Sequence, residues 1–121
     1  MEKLIKIQAE LKAPKNQFNA FGKYKYRNCE DILEAVKPLL KINKCTLVLT
    51  DEIKEIGNVL FVEAKAIFSD GNAKVEVCAH AGIDINRKGM DVAQSFGSSS
   101  SYARKYALNG LFLIDDTKDA D

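Results

Sequence analysis

The sequence is short of the residue types from which most catalytic and metal sites are built. It has one histidine, His80, three cysteines and no tryptophan. Cys29, Cys45 and Cys78 lie far apart without CxxC or CxxH spacing, whereas a structural zinc site needs about four clustered ligands. We therefore expect no metal and no other cofactor, and reduced thiols of which some are buried.

The components of an enzyme active site are also missing. A nucleophilic serine needs a general base and an orienting acid, and His80 lies in an alternating run, VEVCAHAGI, that predicts a strand. Metal-dependent nucleases need clustered core carboxylates, but the acids here are spread over strands or gathered in the tail. The tail acids are Asp115, Asp116, Asp119 and Asp121. They could hold Mg²⁺, although a solvated acidic end is the simpler interpretation. No P-loop pattern is present, so we expect a protein that is not an enzyme.

Long apolar runs are absent as well. No stretch approaches the roughly 18 apolar residues of a membrane span, and the opening MEKLIKIQAELK has no signal-peptide core. With 121 residues, 46% of them apolar and 29% charged, the chain is expected to be one compact cytosolic domain, residues 1–121, without a membrane partner.

Acidic residues are missing from two segments of this almost neutral chain, whose net charge is +1. Residues 11–29 contain no acid before Cys29 and five cations: Lys12, Lys15, Lys23, Lys25 and Arg27. Residues 92–114 contain Arg104 and Lys105 and no acid. If the fold brings the two segments together, they form one positive surface on a neutral protein.

Aromatic rings are interleaved with the cations of the first segment, which reads FGKYKYRN at residues 21–28. The alternating rings are Tyr24 and Tyr26, and the cations are Lys23, Lys25 and Arg27. In an extended chain the rings then face one way and the cations the other. Proteins that hold single strands combine aromatic platforms with a cationic groove. Phe18 and Phe21 fit a core role equally well.

The first half of the chain predicts two helices joined by a long loop. Residues 2–13 have helical spacing that Pro14 ends, and residues 14–28 are expected to be a loop with extended portions. Asn28, with Asp31 three residues later, predicts a capping box for a second helix. Pro38 predicts a kink in that helix or its early end.

The second half predicts three strands and a long helix. Strands are expected at about 45–53, 59–69 and 73–85, joined by turns at 56–58 and 69–72. A basic turn, 86–90, leads to Asp91, which can cap a helix over about 91–110 with Gly110 near its end. The predicted fold is α+β: an antiparallel three-stranded meander packed against the long C-terminal helix, with N-terminal helices at its margins.

The last helix has two contrasting faces. Small residues at 99, 100, 103 and 107 would let it lie close to the sheet. The opposite arc holds Gln94, Ser98, Ser101 and Lys105, flanked by Arg104. Short hydroxyls and an amide allow a phosphate backbone to approach, and the cations supply charge. Tight packing alone can also explain the serines.

Two stretches, FGKYKYRNCEDILEAVKPLLK and QSFGSSSSYARKYALNGLFLIDD, resemble the ERF (essential recombination function) family of phage and prophage single-strand annealing proteins. The resemblance covers essentially the whole chain. Its most specific parts are Y-x-Y-R-N leading into a helix and G-S-S-x-S-Y-A-R-K-Y-A-L leading into an acidic cluster. The family is similar in core fold to the eukaryotic radiation-repair annealing protein, in which a β-β-β-α unit assembles into rings. The resemblance places a DNA groove between the meander and the last helix, around the outside of the ring.

The resemblance implies ATP-independent binding of single-stranded DNA and annealing of complementary strands in phage homologous recombination, in the cytoplasm of a bacterial host. The implied partners are a homo-oligomeric ring or helical filament and the host single-strand binding protein. Family members commonly continue with a variable tail, so this chain would be a core or a short member.

The implied DNA-facing residues are Lys25, Tyr26, Arg27, Gln94, Ser98, Ser101, Arg104 and Lys105. The basic pattern adds Lys23 in the loop and Arg87 and Lys88 in the basic turn. Tyr102 matches the family motif, either as a packing or as a binding residue. Two alternatives stay open: an RNA- or duplex-binding α+β module, and an oligomeric scaffold whose cations pair with acids of a neighbouring subunit.

Overall fold

A three-stranded antiparallel meander and one long helix organise the domain. The computed structural model describes residues 1–84, 89 and 91–114. Its elements in order are α1 (Glu2–Glu10), β1 (Gln17–Asn19), β2 (Tyr24–Tyr26), α2 (Cys29–Asn43), β3 (Thr46–Ile56), β4 (Val59–Ser69), β5 (Lys74–Gly82) and α3 (Val92–Phe112). The sheet order is β3-β4-β5, and α3 packs on β4 and β5. The predicted α+β meander with its covering helix is confirmed.

The meander has one covered face and one open face. β3 and β4 pair along their whole length, and the tight turns beside them place Gly57 and Gly71 at φ values of 61° and 96°. Both angles are in the region that favours glycine. Alternation along β4 buries Val62, Ala64 and Ala66 under the helices, while intervening residues such as Glu63 face away from them.

The core lies between the covered face and the three helices. Phe68 of β4 meets Phe112 of α3 edge-on, with ring centroids 6.5 Å apart. α1 contributes Ile7 and α2 contributes Ile32 and Val36, all fully buried. The N-terminal helices therefore complete the core around α3. Among the described helices, none combines the length and apolar character that a membrane crossing requires.

Small side chains bring α3 close to the sheet, as the sequence predicts. Ala103 and Ala107 are fully buried, and the Ser99 hydroxyl donates to the Gly82 carbonyl at 2.6 Å. A Cβ atom on Gly110 would lie 3.3 Å from Val77. Gly110 therefore serves close packing, and α3 continues past it to Phe112 and is capped at Leu113, whose φ is 55°.

Both predicted helix caps are confirmed as reciprocal capping boxes. Asn28 accepts a hydrogen bond from the Asp31 amide at 2.8 Å, and Asp31 accepts one from the Asn28 amide. Asp91 and Gln94 make the same pair of bonds at the start of α3. α2 is not shortened at Pro38 but continues to Asn43, because its apolar face stays buried in the core on both sides of the proline.

The structure also differs from the sequence predictions at three other boundaries and within one loop. α1 ends at Glu10, β3 extends to Ile56, and β5 ends at Gly82. The predicted loop 14–28 contains a hairpin, because β1 and β2 pair from Gln17↔Tyr26 to Asn19↔Tyr24. Of the predicted basic turn, residues 86–88 and 90 lie outside the described residues, and with them the predicted DNA contacts Arg87 and Lys88.

Replacing Ala103 with leucine should destabilise the protein by about 1–3 kcal/mol, because the added atoms have no space between α3 and the sheet. Ala93→Leu is the matched control on an exposed position of the same helix, and it should change stability by less than about 0.5 kcal/mol. Urea unfolding of both variants measures the difference. Equal stabilities would show that the close approach of α3 is not needed.

Candidate nucleic-acid interface

The two acid-free segments meet at one cavity of about 330 Å³, here called the loop–helix cavity. It lies between the β1–β2 hairpin with the start of α2 and the exposed side of α3. Its lining residues are Asn19, Tyr24, Tyr26, Arg27, Asn28, Cys29, Ser98, Ser101, Tyr102 and Lys105. Five predicted DNA contacts are therefore together: Tyr26, Arg27, Ser98, Ser101 and Lys105.

Both cations of this cavity are held by the protein and are not free surface charges. Arg27 and Lys105 are each only 4% exposed, and Arg27 Nε donates to the Ala13 carbonyl at 2.7 Å. Each positive charge is therefore partly shielded from water. Its electrostatic interactions are stronger there than at an open surface, because the effective dielectric constant is lower. Burial and the nearby Glu30 raise the pKa of the Cys29 thiol, so this part of the wall stays neutral.

The hairpin sets the positions of the two tyrosine rings in the wall. Tyr24 and Tyr26 pack edge to face with centroids 6.0 Å apart, and Asn19 donates its amide N–H to the Tyr24 hydroxyl at 3.0 Å. A Cβ on Gly22 would lie 2.3 Å from the Tyr24 ring, so the turn requires glycine there. Lys25, between the tyrosines, is exposed on the other side, as the alternation predicts.

The remaining predicted contacts lie at the margins of the cavity or away from it. Lys23 is exposed in the hairpin turn with φ 56°. Gln94 is not among the lining residues, and its side-chain oxygen accepts a hydrogen bond from the Asp91 amide. Gln94 therefore has a clear structural role as a helix cap.

Arg104 lies away from its neighbour Lys105 and towards the sheet. Its guanidinium binds both carboxylate oxygens of Asp51 on β3, at 2.9–3.1 Å. Ser100 donates a second hydrogen bond to Asp51. Partial burial acts to raise the pKa of Asp51, but the bonds from Arg104 and Ser100 outweigh it and hold the pKa below its usual value. Successive helical residues point about 100° apart, which explains why these two cations separate.

A second cavity of about 370 Å³ adjoins the first and shares Ser98 and Tyr102 with it. We call it the strand–helix cavity, because it lies between the end of β5 and α3. Its lining residues are Ala81, Gly82, Asp84, Ser95, Ser98, Ser99, Tyr102 and Tyr106. Tyr102 and Tyr106 stack with centroids 6.3 Å apart and ring planes at 23°.

Sequence reasoning identified Tyr24 as a candidate aromatic platform without including it among the DNA contacts, missed the walls supplied by Asp84 and Tyr106, and left the role of Tyr102 open. The i, i+4 spacing of the two α3 tyrosines is the signal that pairs them on one face. Whether Asp84 lies near these tyrosines depends on where β5 ends, and the sequence does not specify that position. Each cavity thus has at least two tyrosine rings among its lining residues.

His80 lies on the face of the sheet opposite to the serines of α3. Its neighbours Ala79 and Ala81 pack towards the helices, so His80 faces the open side of the sheet. There its Nε2 lies 3.0 Å from a Glu63 carboxylate oxygen. The hydrogen bonds from His80 and Lys54 lower the pKa of Glu63. These groups form an ion-pair network on the outer face.

Comparison with known proteins agrees with the motifs at the loop–helix cavity. The model of the ERF superfamily matches residues 1–121. The essential recombination function protein of Salmonella phage P22 is 58% identical over 119 residues, which are 98% of this chain and 57% of that protein. The chain thus spans a little over half the length of this relative. No solved structure matches.

The family match extends over the whole chain, including both segments that line the loop–helix cavity. The chain belongs to the ERF superfamily.

Proposed function

We propose that this chain binds single-stranded DNA at the loop–helix cavity and anneals complementary strands without ATP, in phage homologous recombination within the bacterial cytoplasm. One observation carries the proposal: residues 24–29 and 98–105 form opposite walls of a single cavity that holds two buried cations. The name of the phage P22 relative supports the recombination role.

The cavity combines the two parts that a single strand needs. Arg27 and Lys105 attract phosphate, and the hydroxyls of Ser98 and Ser101 donate hydrogen bonds to phosphate oxygens at close range. Tyr26 offers a ring on which a base can stack without sequence preference. Lys25, exposed on the hairpin, extends the positive surface along the strand. These contacts hold a strand extended while its remaining bases stay available for pairing.

Annealing by this route needs no covalent step, so the protein acts without catalytic residues. Pairing of the two strands supplies the free energy, and the protein lowers the entropic cost of aligning them. The Arg104 guanidinium donates hydrogen bonds to both carboxylate oxygens of Asp51. We therefore propose Arg104 as a phosphate contact only if a phosphate displaces the Asp51 carboxylate from it. Ser101 and Lys105 are the stronger assignments on α3.

The proposed working form is a homo-oligomer, a ring or a helical filament, because one small domain contacts only a few nucleotides. Exposed apolar residues at the far end of the β3–β4 hairpin support such assembly. Ile53, Ile56 and Val59 are 57%, 71% and 59% exposed. β3 is also an edge strand of the sheet, whose unpaired backbone groups can contact a neighbouring copy.

Ser101→Glu should strongly reduce both the binding of single-stranded oligonucleotides and their ATP-free annealing, because the new carboxylate repels phosphate inside the cavity. Asn72→Glu is the matched control, since it makes the same charge change in the exposed β4–β5 turn and lines neither cavity. Fluorescence anisotropy at several salt concentrations, with a strand-annealing assay, measures both effects. Wild-type affinity should fall with a log–log slope of about −0.7 per phosphate neutralised.

Lys105→Gln tests the same site by removing a cation instead of adding an anion. It should weaken binding and flatten the salt dependence, with Lys74→Gln on β5 as the control. Circular dichroism confirms that each variant is folded. If a folded Ser101→Glu variant binds single-stranded oligonucleotides as tightly as the wild type does, this binding site is refuted. If duplex or RNA competitors bind more tightly than single-stranded DNA, the alternative binding modules are favoured.

The Asp51–Arg104 pair should stabilise the fold more than it assists DNA binding. Both side chains are partly exposed, at 25% and 38%, so a coupling of about 0.5–1 kcal/mol is expected. The folded pKa of Asp51 lies below its unfolded value of about 3.9. The contribution is therefore present above that unfolded value and lost as the pH falls through the lower folded pKa.

A double-mutant cycle with Asp51→Asn and Arg104→Gln, followed by urea unfolding, measures this coupling. It should be present at about pH 7 and vanish well below the unfolded pKa of about 3.9. A coupling that persists unchanged in acid would contradict the ion-pair assignment.

A further inference from the structure

We propose that the strand–helix cavity receives a nucleobase of the bound single strand, which stacks on Tyr102. The inference deepens the function proposed above and depends on it, because the loop–helix cavity must hold the phosphates of the same strand. The two cavities would then divide one nucleotide chain between them, with backbone in the first and a base in the second.

Every tyrosine of the chain lines one or both of these cavities. The sequence has four tyrosines: Tyr24 and Tyr26 line the loop–helix cavity, Tyr106 lines the strand–helix cavity, and Tyr102 lines both. Tyr102 and Tyr106 are 46% and 36% exposed, so their stacked pair is accessible. Aromatic faces open to solvent beside a cationic cavity are the platforms that single strands use.

The charge of the strand–helix cavity fits a base better than a phosphate. Among the described residues that line it, none is a lysine or arginine, and Asp84 contributes a carboxylate. A carboxylate repels phosphate, but it accepts hydrogen bonds from the amino groups of bases, as in the contact between an acidic side chain and cytosine N4. The cations lie in the adjoining cavity instead.

A buried hydroxyl in the wall of this cavity supplies an independent indication of a polar ligand. Ser95 is only 4% exposed, and its Oγ has no hydrogen-bond partner among the described residues. Its neighbour in the wall, Ser99, already donates to the Gly82 carbonyl. Buried polar atoms normally have partners. A base edge entering the cavity would provide one for Ser95.

The shared residues provide the connection between the two cavities. Ser98 and Tyr102 are about one helical turn apart, roughly 6 Å along the axis of α3, and both belong to both walls. A strand whose phosphate lies near Ser98 and Lys105 can therefore place its own or a neighbouring base over the Tyr102 ring.

The test compares a cytosine oligonucleotide with one of equal length that carries abasic sites, since both present the same phosphates. Wild-type protein should bind the normal strand at least about fivefold more tightly, in line with the stacking energy of one base. Tyr102→Ala should lose most of this preference and keep only the part that stacking on Tyr26 supplies, whereas Tyr102→Phe, which keeps the ring, should retain it in full. Ser101→Glu should weaken binding of both strands.

A fluorescent 2-aminopurine in the strand gives a second readout, since stacking on Tyr102 should quench it in wild type and in Tyr102→Phe but not in Tyr102→Ala. Equal wild-type affinities for the normal and abasic strands would overturn the base-binding inference, and with it the stacking on Tyr26, while leaving the phosphate contacts and the annealing of the proposed function intact. No binding of either strand would overturn the proposed function itself. The comparison of the normal and abasic strands on the wild-type protein decides the question even if Tyr102→Ala fails to fold. If a folded Tyr102→Ala variant keeps the full wild-type preference for the normal strand, Tyr102 has only a packing role.

Discussion

The close contact between α3 and the sheet is the constraint on which the rest of the structure depends. Ala103 and Ala107 have almost no side chain to bury, so the helix axis lies near the strands and the helix orientation is fixed. That orientation turns the opposite side of α3, with Ser101 and Lys105, towards the β1–β2 hairpin. Larger side chains at Ala103 and Ala107 would move the helix away from the sheet and separate the walls of both cavities. The packing of one face thus determines the geometry of the other.

Two neighbouring cations on α3 illustrate how one helix contacts both the sheet and the loop–helix cavity. Arg104 anchors the helix to β3 through Asp51, while Lys105 lines the loop–helix cavity. The capping box at Asp91 and Gln94 fixes the other end of the helix. Because α3 is held at both places and by its close packing on the sheet, its exposed serines and tyrosines are preorganised, and the proposed binding of a strand would cost little ordering of the protein.

The sequence was informative wherever local chemistry determines the outcome. Alternation predicted β4 with its observed bounds, and Asn28 and Asp91 identified the starts of both long helices. The binding surface could be predicted only in part, because the convergence of the two basic segments depends on tertiary packing. Arg104 and Lys105 look alike in sequence, and only the position of Asp51 separates their roles. The hairpin at β1 and β2 was missed because each strand has three residues, too few for a periodic pattern.

Photochemical crosslinking of the wild-type protein to single-stranded DNA, with mass-spectrometric mapping, tests the central claim most directly. Oligonucleotides that carry 5-iododeoxyuridine should crosslink to both walls of the cavity pair, at Tyr24 or Tyr26 on the hairpin and at Tyr102 on α3. Crosslinks confined to the open face of β5, or to only one of the two basic segments, would contradict a single site built by their convergence.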